Sequence, residues 1–355
     1  MTRLLLIVLL CVPSLAAAQP ETHSASLVTG GYQEAVFSVS SLEDYREFFE
    51  NVAGWQVKAE GPLSDAQLRA WGLGGDASGH QLVLGNPGTP RGYVRLVKFA
   101  GVPQQQIRSN AQSWDTGGWF DVNARVLSMD QKFGEFQARN WQASSDPIQF
   151  SFGPFVVKEW LARGPDGVVM ALIERVEPPL EGWPQLQQMS RIFNATQIVP
   201  DIEQARDFYM NKLGFTSYLE HHGASKAPGP NVLGMPHNVA AEVPRIVSIV
   251  HPQGKNEGSV ELLQFDGLTG ADWAERASPP NLGIVMLRFP VADLTAFYDH
   301  VRRQGIEVIA APATIELKPY GTARVLAVRG PGGVWLEFFE LLTQTADVGL
   351  EDHDG

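Results

Sequence analysis

Cysteine is almost missing from this chain. Its 355 residues hold one, Cys11, and that one falls inside a leader-like stretch. Residues 1–18 carry a positive start at Arg3, a short apolar run over 4–10, and a small-residue end at Ala16-Ala17-Ala18. That order reads as a secretory signal peptide, and the apolar run is too short to span a membrane. The mature chain then has no thiol, which excludes disulfides, cysteine nucleophiles and thiolate metal sites. Positive charge is also scarce: 27 Lys and Arg stand against 39 Asp and Glu, a net charge of -12. Without clustered cations, nucleic-acid binding is excluded. A phosphate loop is lacking too, because 72–75 has glycines but no Lys-Ser/Thr ending. What remains is a globular chain with 44% hydrophobic and 19% charged residues, expected in the periplasm or secreted, with no membrane partner after signal cleavage.

What the chain does have is repetition. Arg163-Gly164-Pro165-Asp166-Gly167 runs into Val168-Val169-Met170-Ala171-Leu172-Ile173-Glu174. Arg329-Gly330-Pro331-Gly332-Gly333 runs into Val334-Trp335-Leu336-Glu337-Phe338-Phe339-Glu340. Each is a tight turn feeding a strand. Near the start, Glu43, Arg46, Phe48, Phe49, Asn51 and Gly54 recur 160 residues later as Glu203, Arg206, Phe208, Tyr209, Asn211 and Gly214. A self-match of this length marks a duplication.

Each half divides again. The stretch 34–39 reads as a strand. It leads into a helix with Ser41 as N-cap, a stripe of Leu42, Tyr45, Phe48, Phe49 and Val52, and Gly54 as the stop. A second unit starts with a strand at 121–126 and a helix over 130–141. Its counterpart has a strand at 283–289 and a helix from Asp293 to a stop at Gly305. About three strands follow each helix. The expectation is an α+β chain of four βαβββ modules, with halves at 30–177 and 189–342, a linker at 177–188 and an acidic tail at 343–355.

Modules of this kind, with their helix and GPxGxxxEF-like last strand, resemble the vicinal oxygen chelate superfamily of glyoxalase I, bleomycin-resistance proteins and extradiol dioxygenases. The resemblance covers about 32–341. It implies two domains, each a curled mixed sheet with helices outside and a cup for a small molecule. It also implies a divalent metal (Zn, Mn, Fe or Ni) held by inward residues on the first and last strands. Pairing into a homodimer is left open.

The resemblance places Glu34, Arg95, Asp121 and Ala171 inward in the first half, and Asn194, Glu261, Met286 and Glu337 in the second. Neither set makes a good metal site. Arg95 repels a cation, and Met286 is a soft thioether poorly matched to hard divalent ions. Glu261 and Glu337 are therefore expected as a catalytic pair in one cup, base and metal ligand, with Asn194, Met286 and His237 around the substrate. Glu337 has a second reading as a structural ion pair with Arg288 or Arg324. Glu34, Arg95 and Asp121 read as an ion cluster or a pocket for a polar group. His221, His222 and His251 are either loop histidines or a further ligand. Two functions stay open: a glyoxalase-like lyase or isomerase using a carboxylate base, with or without metal, and a non-catalytic protein that sequesters a small molecule.

Overall fold

Each module opens on a strand whose helix is capped by a short polar side chain. Ser41 Oγ accepts from the Asp44 N–H, Ser128 Oγ from Gln131, and the carboxylates of Asp201 and Asp293 from two N–H groups each. These caps satisfy amides that the first helical turn leaves unpaired. The computed structural model describes residues 26–343; the stretch 1–18 expected as a signal peptide and nearly all of the stretch 343–355 expected as an acidic tail lie outside them.

The first module runs β1 (Glu34–Ser38), α1 (Leu42–Glu47), β2 (Gln56–Pro62), α2 (Asp65–Ala70), β3 (Ser78–Gly85) and β4 (Tyr93–Ala100). The second runs β5 (Asp121–Val126), α3 (Met129–Gln137), β6 (Ile148–Phe152), β7 (Phe155–Arg163) and β8 (Val169–Glu177). The third runs β9 (Met189–Ile198), α4 (Ile202–Arg206), β10 (Thr216–Gly223), α5 (His237–Glu242), β11 (Arg245–His251) and β12 (Ser259–Phe265). The fourth runs β13 (Gly283–Pro290), α6 (Leu294–Arg303), β14 (Val308–Leu317), β15 (Gly321–Arg329) and β16 (Trp335–Leu341). The duplication extends to irregular features. After α1 and α4 the helix widens to a π-turn, Phe48–Val52 and Asp207–Lys212, and each ends at a left-handed glycine, Gly54 (φ 72°) and Gly214 (φ 73°). The helix expected over 130–141 stops earlier, because Asn140 turns left-handed (φ 61°) and the Trp141 N–H reaches back to Phe136.

The strands form two eight-stranded mixed sheets. One has the order β14-β15-β16-β13-β1-β4-β3-β2, the other β10-β11-β12-β9-β5-β8-β7-β6. First strands meet antiparallel at the centre of each, β1 on β13 and β5 on β9. The sheets thus join the first module to the fourth and the second to the third. The expectation that each half keeps its own inward set is corrected here. Every module offers the same bare first-strand edge, and the repeat is silent on which edge meets which.

Alternate residues of each strand face opposite ways. One set packs with the helices into a shared core: Ala35, Phe37, Val122, Ala124, Ala195, Leu262, Leu287 and Phe338. Phe48 stacks on Trp141 at 4.4 Å between ring centroids within it, joining the first two modules. The other set lines the two hollows.

Candidate functional site

The two hollows are built on one register. In the sheet of the first and fourth modules, Glu34 lies opposite Arg288, and Arg288 opposite Glu337. In the other sheet the same places hold Asn194 opposite Asn123, and Asn123 opposite Ala171. Arg95, beside Val36 on β4, has Glu261, beside Thr196 on β12, as its counterpart. The side chains at these places decide what each hollow is.

The first hollow is solid. Arg95 donates from Nε to Glu34 Oε1 at 2.6 Å and from Nη2 to Oε2 at 3.0 Å. Arg288 donates from Nη1 to Glu34 at 2.5 Å and from Nε to Glu337. Trp71 Nε1–H donates to the other Glu337 oxygen at 2.9 Å, and Tyr320 O–H to Glu34 at 3.0 Å. Glu34, Arg288 and Glu337 are 0% exposed. Burial raises the Glu34 carboxyl, but the Arg95 and Arg288 guanidiniums outweigh it and hold the group below its usual range. The end of α2 closes the hollow from above. Leu68 and Trp71 pack with Val36, Val97, Met286 and Trp335, and Gln67 accepts from Arg288 at 3.1 Å.

The second hollow is acidic and open. Asp121 on β5, Thr196 on β9 and Glu261 on β12 stand in one row. Glu159 on β7 faces inward with Leu161, by the alternation that buries Trp160 and Ala162 in the core. Asp121 is buried, while Glu159 and Glu261 are reached by solvent within the concavity. No ion pair reaches any of the three among the described residues, and Asp121 Oδ1 has no hydrogen-bond partner.

Burial raises Asp121 to about 7, opposed by a hydrogen bond from Thr196 and the charge of Arg108. Burial, then the Asp121 charge, raises Glu159 to about 8, against Arg125. Burial, then Asp121 and Glu159, raises Glu261 to about 8. Below the acids, Asn123 Nδ2 donates to Asn194, whose own Nδ2 donates to Ser259 at 2.8 Å. Phe120, Leu161, Ala171, Val247, Ile249 and Leu263 form an apolar wall, on which Met235 and Ala240 of the β10–β11 connection pack.

The expected residues therefore separate. Glu261, Asn194 and Asp121 share one hollow, and Glu34, Arg95, Met286 and Glu337 the other. Two groupings are corrected, and one open alternative is decided. Glu261 and Glu337 are not a pair, because their strands belong to different sheets. Asp121 does not face Arg95, for the same reason. Glu337 takes its salt-bridge reading, with Arg288 and not Arg324. His237 is exposed at the start of α5, and His221 and His222 are exposed on β10. His251 is buried, its Nδ1 accepting from the Gln253 N–H in a turn, and burial lowers it to about 4.

Sequence reasoning missed Asn123 and Glu159, and named Arg288 only as a possible partner of Glu337, not of Glu34. A signal for Glu159 existed: the repeat that sets Arg163 on Arg329 sets Glu159 on Val325, an acid against an apolar residue.

Comparison with known proteins fits this architecture. Residues 191–338 match the family described as Glyoxalase/Bleomycin resistance protein/Dioxygenase superfamily. That segment is thus similar to the vicinal oxygen chelate superfamily. Glyoxalase I from Zea mays superposes with a TM-score of 0.57 at 15% identity, covering 88% of this chain and 92% of that one. A putative dioxygenase from Bacillus subtilis gives 0.54 at 13% identity, covering 89% and 87%. At such identity the likeness concerns the fold. No curated protein matches the chain.

Vicinal oxygen chelate cups are associated with divalent metals, and neither hollow fits one as arranged. In the first, two guanidiniums occupy the carboxylates. In the second there is no histidine in the row, and no three His, Cys, Asp or Glu among the described residues are placed to hold one ion. The matched segment also spans β9 to β16, so it contributes to both sheets.

Proposed function

We propose that the hollow of the second and third modules is the working site, and that it moves a proton beside a carbonyl in a small oxygenated substrate. The protein would be a glyoxalase-like isomerase or lyase using carboxyl groups. The observation that carries this reading is three carboxyl groups that make no ion pair among the described residues and line one hollow, while the carboxyl groups of the other hollow, Glu34 and Glu337, are locked in ion pairs. The Thr196 hydrogen bond and the Arg108 charge favour ionised Asp121, whereas the charges of the other acids push Glu159 and Glu261 toward the protonated form. Asp121 therefore serves as the base, and protonated Glu261 or Glu159 as the acid. Groups that titrate close to the working pH are the effective ones in general acid–base transfer.

The step balances without further reagents. Asp121 takes the proton from the carbon next to the carbonyl, the C–H electrons move into the C–C bond, and the carbonyl oxygen takes a proton from Glu261. Asp121 then returns its proton to the former carbonyl carbon while the adjacent hydroxyl gives its proton back to Glu261 and becomes the new carbonyl, which completes an isomerisation and restores both carboxyl groups. The Thr196 hydroxyl fixes Asp121, and the apolar wall excludes water around the reacting carbon. The proposed location is periplasmic or secreted, on the strength of the leader.

Hydrogen–deuterium exchange tests the reading. Hydroxyacetone and glyceraldehyde incubated with the protein in D2O should lose their carbon-bound proton signal faster than in buffer. Asp121→Asn and Glu261→Gln should each reduce the enzymatic rate by about 10²-fold or more. No enhancement by the folded wild-type protein would overturn it. The second reading, a sequestering protein, draws on the apolar wall, and ligand binding without exchange would favour it.

A further inference from the structure

Beyond the asparagines, the hollow face of β5 and β8 carries a pair of arginines that make no ion pair among the described residues. Arg125 lies on β5, four residues after Asp121 and on the same face, about 13 Å along the strand. It is 7% exposed. Its guanidinium lies over the Phe193 ring at 4.4 Å and the Trp183 ring at 5.8 Å from the centroids. Arg175, on β8, lies over Phe155 at 3.9 Å. The Nε of each is buried with no hydrogen-bond partner, and neither makes an ion pair among the described residues. The two also repel each other, as the effect of Arg175 on Arg125 shows. Stacking on aromatic rings holds the planes but leaves the N–H edges unused. Both arginines, with Trp183, Tyr218 and Asn256, line a pocket of about 350 Å³. Buried cations without a partner cost stability, and a ligand anion would remove that cost.

We propose that this pocket binds the carboxylate of the ligand, so that the substrate is a small monoanionic carboxylic acid with its oxygenated end directed at Glu159, Asp121 and Glu261. The proposal rests on the proton-transfer reading for the deep end only. The anion belongs at the arginines because a guanidinium fork matches a carboxylate with two parallel hydrogen bonds. The deep end is acidic, so it admits neutral oxygen groups and repels a second charge. Glu181 and Glu257 also line the pocket, which disfavours a dianion and selects carboxylate over phosphate. Register puts Glu159 within reach, since Arg125 and Glu159 both lie opposite Ile173 on β8.

Calorimetric titration tests this with benzoate and lactate against their neutral amides, benzamide and lactamide, and against inorganic phosphate. The wild-type protein should bind the carboxylates at least 10-fold more tightly than the amides or phosphate. Arg125→Gln should lose at least 10-fold of that affinity. Arg175→Gln, at a less buried position, should lose it too, which covers the case where Arg125→Gln does not fold. Glu261→Gln should keep it. Equal affinity for acids and amides, equal or tighter phosphate binding, or folded arginine variants with unchanged affinity would overturn the proposal. Loss of carbonyl exchange in Glu261→Gln with carboxylate binding retained supports both readings. Carboxylate binding without exchange in the wild type sinks only the chemistry.

Discussion

Arg288 reaches Glu34 across the β1–β13 ladder at 2.5 Å, at the register where the other sheet sets Asn123 against Asn194. This pair sets the two copies of one architecture apart. Its guanidinium spans Glu34 and Glu337 and fills the place where a ligand would sit. The asparagine pair is neutral and small, and the acids above it make no ion pair among the described residues.

The ion network should therefore be structural. Removing Arg288 leaves Glu337 without a cation at zero exposure and Glu34 with Arg95 alone, and breaking a buried pair costs about 3–5 kcal/mol. Arg288→Met should lower stability by that amount in urea denaturation. A loss below about 1 kcal/mol would mean that water already screens the network.

Trp71 plugs the same hollow through one hydrogen bond to Glu337. Trp71→Phe keeps most of the ring but removes the N–H, and a bond to a charged acceptor is worth roughly 1.5–3 kcal/mol. The variant should be destabilised within that range while carboxylate binding at Arg125 stays unchanged. A parallel loss of binding would show that the two hollows are coupled.

Much of this was legible in the sequence. Caps at Ser41 and Asp293, stops at Gly54 and Gly305, and the paired Gly-Pro turns before Val168 and Val334 are local signals, and they gave the modules. The partnering of modules was not legible. It depends on which first-strand edges meet, and β1, β5, β9 and β13 all present the same alternation. The inward position on the second and fourth first strands was read two residues early, at Asp121 and Met286 in place of Asn123 and Arg288. Those residues share a face with the right ones, so periodicity alone could not separate them. Glu337 looked reactive because a carboxylate between Leu336 and Phe338 is unusual, and its cation lay 49 residues away in sequence.

The acidic hollow should also leave a mark on stability. Glu261 is shifted up from its ordinary 4.5 to about 8, so between those values the folded protein holds a proton that the unfolded chain releases. Stability then falls as pH rises through that window. Glu261→Gln removes the effect. Its melting temperature relative to wild type should be higher at pH 9 than at pH 5. An identical difference at both pH values would show that Glu261 ionises normally.

The central claim is that Asp121, Glu159 and Glu261 form one coupled carboxyl group that ionises near neutrality. Carboxyl-carbon NMR titration of protein labelled at Asp and Glu measures this directly. The account predicts a small set of signals titrating together between about 7 and about 8, with the remaining members shifting down in Glu261→Gln. Titration of every carboxyl in the protein below about pH 5 would contradict it.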